Sequence, residues 1–203
     1  MSKPKNKVNF KKYLGEGLLI VFSVLFALFI NKTYEDAKTD KDKINAIEQI
    51  KAELFENQKI LNNWMADHNA ILENLNILLE RKMDSIQILA NNKGYLPMQM
   101  ILNDRNLLDK PLSNSAWSSA QSTGIISEFD FIILLNFSET YELQQLIMNT
   151  SIEKIAERLF LKSNDIEHIK DLLIELRLRF MNLRGQEYRL EHLYTETIEL
   201  LNR

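Results

Sequence analysis

The pattern of apolar and polar positions divides the chain into one uniformly apolar run and three long amphipathic stripes. Residues 18–30 read LLIVFSVLFALFI and carry no charge. Residues 31–43 are densely charged and helix-permissive. A first stripe then follows through Ile47, Ile50, Leu54, Leu61, Trp64, Met65, Ile71, Leu72, Leu75, Leu78, Leu79, Ile86 and Leu89, starting at Ile44. Spacings of three and four predict an amphipathic helix running to about Asn91, closed by Gly94 as a C-terminal cap. Asn57, His68 and Lys82 interrupt the seam, and apolar positions spill onto an adjoining row. That suits a small helical bundle better than a strict two-stranded coiled coil.

Residues 95–111 are the least regular stretch. Leu96, Met98, Met100 and Leu102 alternate as in a strand, but nothing in the sequence offers a second strand to pair with it. A short helical turn opening at Pro97 is the better prediction, followed by loop to Pro111. Ser113-Asn114-Ser115 then caps a short helix to about Thr123, stopped by Gly124. Residues 128–162 form the next long helix, with Phe129, Ile132, Ile133, Phe137, Tyr141, Leu143, Leu146, Ile147, Ile152, Ile155, Leu159 and Phe160 on its buried face. Asn149-Thr150-Ser151 marks a kink, because all three side chains compete with the backbone for hydrogen bonds. Ser163-Asn164-Asp165 reads as a turn and cap. The final stripe has the cleanest heptad: Ile166, Ile169, Leu173, Leu176, Phe180, Leu183, Leu190, Tyr194 and Leu201, broken by Glu187 and Thr197.

These elements predict an all-α fold. A single N-terminal transmembrane helix continues into an antiparallel bundle of three long helices, with a short helix around Trp117 lying across one end. Five glycines and three prolines in 203 residues suit long helices.

Charge orients the apolar run. Lys3, Lys5, Lys7, Lys11 and Lys12 precede it with no acid among them. A basic tail held in the cytoplasm is the expectation, with residues 1–12 inside, 13–31 spanning the membrane and 32–203 forming an extracytoplasmic domain. At roughly 1.5 Å per residue, residues 17–30 fall short of a hydrocarbon core of about 30 Å. Adding residues 13–16 nearly closes that gap, with Lys12 and Lys32 able to snorkel. A cleaved secretory signal is disfavoured because Phe29, Ile30, Asn31, Lys32 and Tyr34 offer no small-residue cleavage site. Glu16 is the ionisable residue in this segment. Lys12 on the same helical face makes it an interfacial pair, and a contact to a partner membrane helix beside Gly15 and Gly17 is the sharper alternative.

The chain carries a net charge of −3, and its basic first twelve residues contribute +5, leaving −8 on the remainder. An acidic body without a basic stripe argues against nucleic-acid binding. There is no cysteine, zinc spacing, glycine-rich phosphate loop or dinucleotide fingerprint. The four serines around Trp117 have no histidine or lysine nearby to act as base. His168 and His192, roughly 36 Å apart along one helix, cannot share a metal ion. His68 falls on the apolar seam and reads as a satisfied core or rim histidine. Glu153, Glu157, Glu175, Glu187 and Glu191 read as solvated surface, paired with Lys154, Arg158, Arg179 and Arg189. No enzyme activity, cofactor or metal is expected. Glu16, Trp64, His68 and Trp117 remain as candidate partner or structural contacts.

Two segments carry a resemblance. Residues 13–21, YLGEGLLIV, continuing to Ala27-Leu28-Phe29-Ile30-Asn31, resemble the start of an uncharacterised family of small membrane-anchored proteins from Bacteroidetes-type bacteria. Residues 116–126, AWSSAQSTGII, resemble that family's Ser-rich segment, and Tyr141-Glu142-Leu143-Gln144 the helix after it. At Lys32-Thr33-Tyr34 the chain departs from the family's Asn and Trp. The resemblance implies a bacterial inner-membrane home and brings no activity with it; combined with the orientation read from charge, the N-terminus is expected in the cytoplasm and the helical domain in the periplasm. The function expected is therefore a non-enzymatic interaction or scaffold module that contacts membrane lipid and either a protein partner or a second copy of itself. A small-ligand-sensing bundle acting through a membrane partner is the alternative.

Overall fold

A computed structural model describes residues 10–162 and 166–202, with side chains at 16–80, 82–160 and 166–202. Every regular element among them is helical. The predicted turn at residues 163–165 and Lys3, Lys5 and Lys7 of the N-terminal tail lie outside the described residues, as do the side chains of Lys11 and Lys12. The chain divides into two units, one ending at Asn45 and one beginning at Ala46.

The first unit consists of the leading part of helix α1, Phe10–Arg81. Its large apolar side chains from Leu18 to Ile30 are between 52% and 69% exposed, so no part of this unit covers them. The polar side chains on and beside the run are tied to their own helix. Ser23 Oγ donates to the Leu19 carbonyl at 2.8 Å and Thr33 Oγ1 to the Phe29 carbonyl at 2.9 Å. Phe22 and Phe26, one turn apart, stack at 6.1 Å.

The second unit holds the core. It takes in the rest of α1, then α2 (Met83–Lys93), α3 (Met98–Leu102), α4 (Ser115–Thr123), α5 (Phe131–Leu146), α6 (Glu153–Lys162) and α7 (Ile169–Leu200). The α1 seam buries Ile50, Leu54, Leu61, Trp64, Ile71, Leu75 and Leu78. That of α7 buries Ile169, Leu173, Leu176, Phe180, Leu183, Leu190 and Tyr194. Gly94 and Gly124 stop α2 and α4 in the left-handed conformation, φ 77° and 76°, where a side chain would be strained. Pro97 opens α3 as its position predicts, and Leu96 and Ile101 are buried while no strand forms among the described residues.

Several sequence expectations need correction. The first helix does not run unbroken to Asn91. It stops at Arg81, and Lys82 takes a non-helical conformation (φ −129°) before α2 begins. Continuing the seam 71, 75, 78 by one more step would place Lys82 in the core, where a charge without a partner is costly. The break leaves Lys82 exposed and returns Ile86 and Ala90 to the interior.

The helix predicted from residue 128 starts at Phe131, because Asp130 accepts a hydrogen bond from the Ile132 N–H at 2.9 Å and a 3₁₀ turn occupies Ile125–Glu128. At the predicted kink the backbone is π-helical over Ile147–Ile152. One extra residue in that turn keeps Ile147 and Ile152 on the same buried face although they are five apart. Ile44, Ile132, Leu146 and Phe160, expected inside, are 61%, 59%, 45% and 66% exposed. They sit beside the seam, on the margin that periodicity resolves least well.

Candidate functional site

Polar residues that break the apolar seams meet one another inside the second unit. Asn57 and His68 on α1, Thr140 and Gln144 on α5, and Glu187 and Thr197 on α7 are all buried. They form two clusters and one isolated hydroxyl pair, in which Thr140 and Thr197 approach to 3.2 Å.

The first cluster fixes the entry to α4. Asn57 Nδ2 donates to the Ser113 carbonyl at 2.7 Å, and its Oδ1 accepts from the Ser113 N–H at 2.8 Å. Gln144 Nε2 donates to the same carbonyl at 2.9 Å, while its Oε1 accepts from Asn57 at 3.2 Å and from the Tyr194 hydroxyl at 2.7 Å. The Glu53 carboxylate accepts from Ser113 Oγ at 2.6 Å, the Ala116 N–H at 3.0 Å and the Tyr141 hydroxyl at 2.7 Å. An acid from α1 therefore sits at the N-terminus of α4, where the helix leaves donors free and favours negative charge.

The expected Ser113-Asn114-Ser115 cap is completed from another helix, since the Asn114 side chain makes no cap bond. Trp117 packs behind this cluster, its ring parallel to Tyr141 at 5.5 Å and tilted against Phe137 at 5.8 Å. Burial first, and then the Glu53 carboxylate it donates to, pushes the Tyr141 phenol well above its ordinary pKa. Burial and the nearby Glu53 charge raise Tyr194 likewise. Neither phenol ionises in neutral solution.

The second cluster is built around His68. Its Nδ1 lies 2.5 Å from Glu187 Oε1, and its Nε2 lies 2.9 Å from the Leu107 carbonyl. Phe180 and Trp64 pack around the ring at 5.7 and 6.4 Å. Burial alone would disfavour the charged ring. The hydrogen bond and charge of Glu187, with the Leu107 carbonyl and Asp67, outweigh it and set the pKa above the ordinary histidine value. Glu187 Oε2 and Trp64 Nε1 are buried with no hydrogen-bond partner among the described residues.

Of the four residues singled out from the sequence, Trp64 and His68 come together, and Trp117 belongs to the α4 cluster. Glu16 is exposed in the first unit, and the pairing expected with Lys12 lies outside the described residues. Glu187, expected at the solvated surface, is fully buried. A seam position in a heptad forces it inward, and its charge is met by His68. Glu175 behaves as expected. Arg158 hydrogen-bonds it, and Arg179 donates to it at 2.7 Å, holding its pKa below the usual carboxylate range.

Sequence reasoning missed Glu53, Ser113, Gln144 and Tyr194 as a set. The available signal was the recurrence of polar residues at seam positions of separate helices, since each such residue needs a partner from another one. Among the described residues no group of three or more His, Cys, Asp or Glu side chains is placed to hold a metal ion. Compared with protein-family models, curated proteins and solved structures, the chain matches none.

Proposed function

We propose that this chain is a single-pass membrane protein of the bacterial envelope that acts by binding another protein or a second copy of itself. On this reading it performs no catalysis. The observation that carries the reading is the contrast between the two units. One helix holds an 18-residue window of mean hydropathy 1.8 with none of it buried, while the second unit fills its own interior.

Thirteen residues of that composition, open to their surroundings on every side, are stable in lipid and unfavourable in water. Helix α1 begins at Phe10, so residues 10–30 rise roughly 31 Å, enough for a hydrocarbon core of about 30 Å. The basic tail then favours a cytoplasmic N-terminus and a periplasmic second unit. The likeness of residues 13–31 and 116–126 to an uncharacterised Bacteroidetes-type membrane-anchored family agrees with that placement.

An antiparallel bundle is the arrangement we infer for the second unit. Gln58 bonds to Glu191 and Thr195, His68 to Glu187, and Gln87 to the carbonyl of Ile166 in the turn that leads into α7, so numbers along this last segment fall as α1 and α2 numbers rise. Gln144 of α5 meets Tyr194 of α7, and Ser151 in the π turn after α5 meets Gln186, in the same sense. The surroundings of His68 and of Trp117 are filled by side chains of the chain itself. That favours the interaction reading over ligand sensing.

The test is cross-linking of the full-length protein in intact cells, followed by purification from the membrane fraction. A specific adduct, with another envelope protein or a second copy, is expected. Recovery of uncross-linked monomer alone overturns the interaction role, and recovery of the protein in the soluble fraction overturns the anchor.

A further inference from the structure

We propose that His68 and Glu187 form a proton-dependent latch that holds residues 103–112 against the second unit, closed when both ring nitrogens of His68 carry a proton and released when the ring loses one. Those residues are a strap joining α3 to α4. The strap has no helix of its own, and its first two residues, Asn103 and Asp104, are both left-handed (φ 53° and 56°). Residues 103–106 and 108–111 are exposed, and Leu112 is buried at the far end. Between Arg105, which bonds Asp67 at 3.0 Å on the outside, and Leu112, the strap turns inward at Leu107, whose side chain packs half-buried against the core and whose carbonyl meets His68 as its inward hydrogen bond.

The donor and acceptor inventory makes this attachment depend on a proton. A carbonyl oxygen only accepts, so Nε2 must carry hydrogen to hold Leu107. Nδ1 faces a carboxylate oxygen at 2.5 Å, so a second proton is needed there as well. A neutral imidazole has one N–H and cannot serve both acceptors. When the second proton leaves, the ring must give up either Glu187 or Leu107.

Burial decides between them. The other Glu187 oxygen has no partner among the described residues and the side chain is fully buried, so His68 supplies its one described donor. Stripping that donor from a buried carboxylate costs far more than freeing a carbonyl on a partly exposed strap, which water can reach. The ring therefore keeps Glu187, and Leu107 is released.

The groups facing the ring agree on direction. Glu187 from α7 and Asp67 from α1 favour the proton, Arg105 of the strap is engaged by Asp67, and Phe180 and Trp64 are uncharged walls. With the folded pKa above the ordinary value of about 6.5, the latch is closed below that value and opens as pH rises through the higher folded one.

Hydrogen exchange of the full-length protein in lipid nanodiscs, from pH 5 to 9 and corrected for intrinsic exchange rates, tests this. Protection of residues 103–112 is expected to fall by at least roughly tenfold across the transition while the α7 core stays protected. His68→Gln is expected to abolish that pH dependence, and Glu187→Gln to move it to lower pH. Nitrogen NMR of the His68 ring in the wild-type chain provides a readout independent of variant folding. Both ring nitrogens protonated at pH 5.5 supports the latch. A singly protonated ring at that pH, strap protection that varies less than about twofold, or an undiminished pH response in His68→Gln overturns it.

Discussion

Asn57 uses its whole amide at once, returning both backbone groups of Ser113 and reaching Gln144 from the middle of an apolar seam. Asn57→Ala strips Ser113 of one partner on each side and opens a small void. A loss of about 2–4 kcal/mol in urea unfolding is expected, against under about 0.5 kcal/mol for alanine at exposed Asn62 on the same helix. Glu187 gives a prediction with a sign. The folded pKa of His68 is raised, so its contribution is complete below about pH 6.5 and fades as pH climbs through the folded value. Wild-type stability should therefore fall between pH 6.5 and 9 relative to Glu187→Gln, as measured by melting the two proteins side by side. Melting curves that stay parallel across that range contradict the pairing. Asn57, His68, Glu187 and Thr197 were visible in the sequence as breaks in otherwise apolar stripes. Their partners were not, because Glu187 lies 119 positions from His68 and local spacing says nothing about which distant break it meets.

Among the elements, the turn Ile147–Ile152 shows most clearly how periodicity and local chemistry combine. Asn149-Thr150-Ser151 signalled a disturbed helix, but whether it would kink, end or insert a residue depended on where α7 needed the next apolar side chain. Deleting Thr150 brings Ile147 and Ile152 to the four-residue spacing of an ordinary α-helix with both still facing the core. A change within about 1 kcal/mol is expected in urea unfolding. Deleting Glu142, in the regular part of α5, instead rotates Tyr141 and everything before it by about 100° relative to Gln144 and Ile147. Loss of cooperative unfolding is the expected result. Equal damage from both deletions contradicts the account of the π turn as an accommodated insertion. The Lys82 break follows the same logic, since the heptad continued through a residue that the core would not accept. Helix types and most seam residues were legible because each is written within four positions of its neighbours. The breaks depended on contacts from elsewhere in the chain.

For the whole molecule, the decisive fact is that every buried apolar residue among the described residues lies at or beyond Ile50, within the second unit. Residues 18–30 are the most apolar stretch of the chain, and their large side chains are exposed. Their uniform apolar character is therefore not used in packing among the described residues, and lipid is the solvent proposed for it. Two consequences follow from the separation. A fragment comprising residues 44–203 should be soluble without detergent, strongly helical by circular dichroism, and cooperative in thermal unfolding, because it retains the complete interior. The full-length chain should stay with the membrane pellet in alkaline carbonate, and Leu25→Arg should shift it toward the soluble fraction. Arginine at a helix centre costs about 2.5–3.5 kcal/mol on insertion scales, enough to compete with the eleven apolar residues around it in residues 18–30. A fragment that aggregates or melts without cooperativity would mean that the apolar run is needed to complete the fold. In that case its exposure would mark a missing protein partner instead of a bilayer.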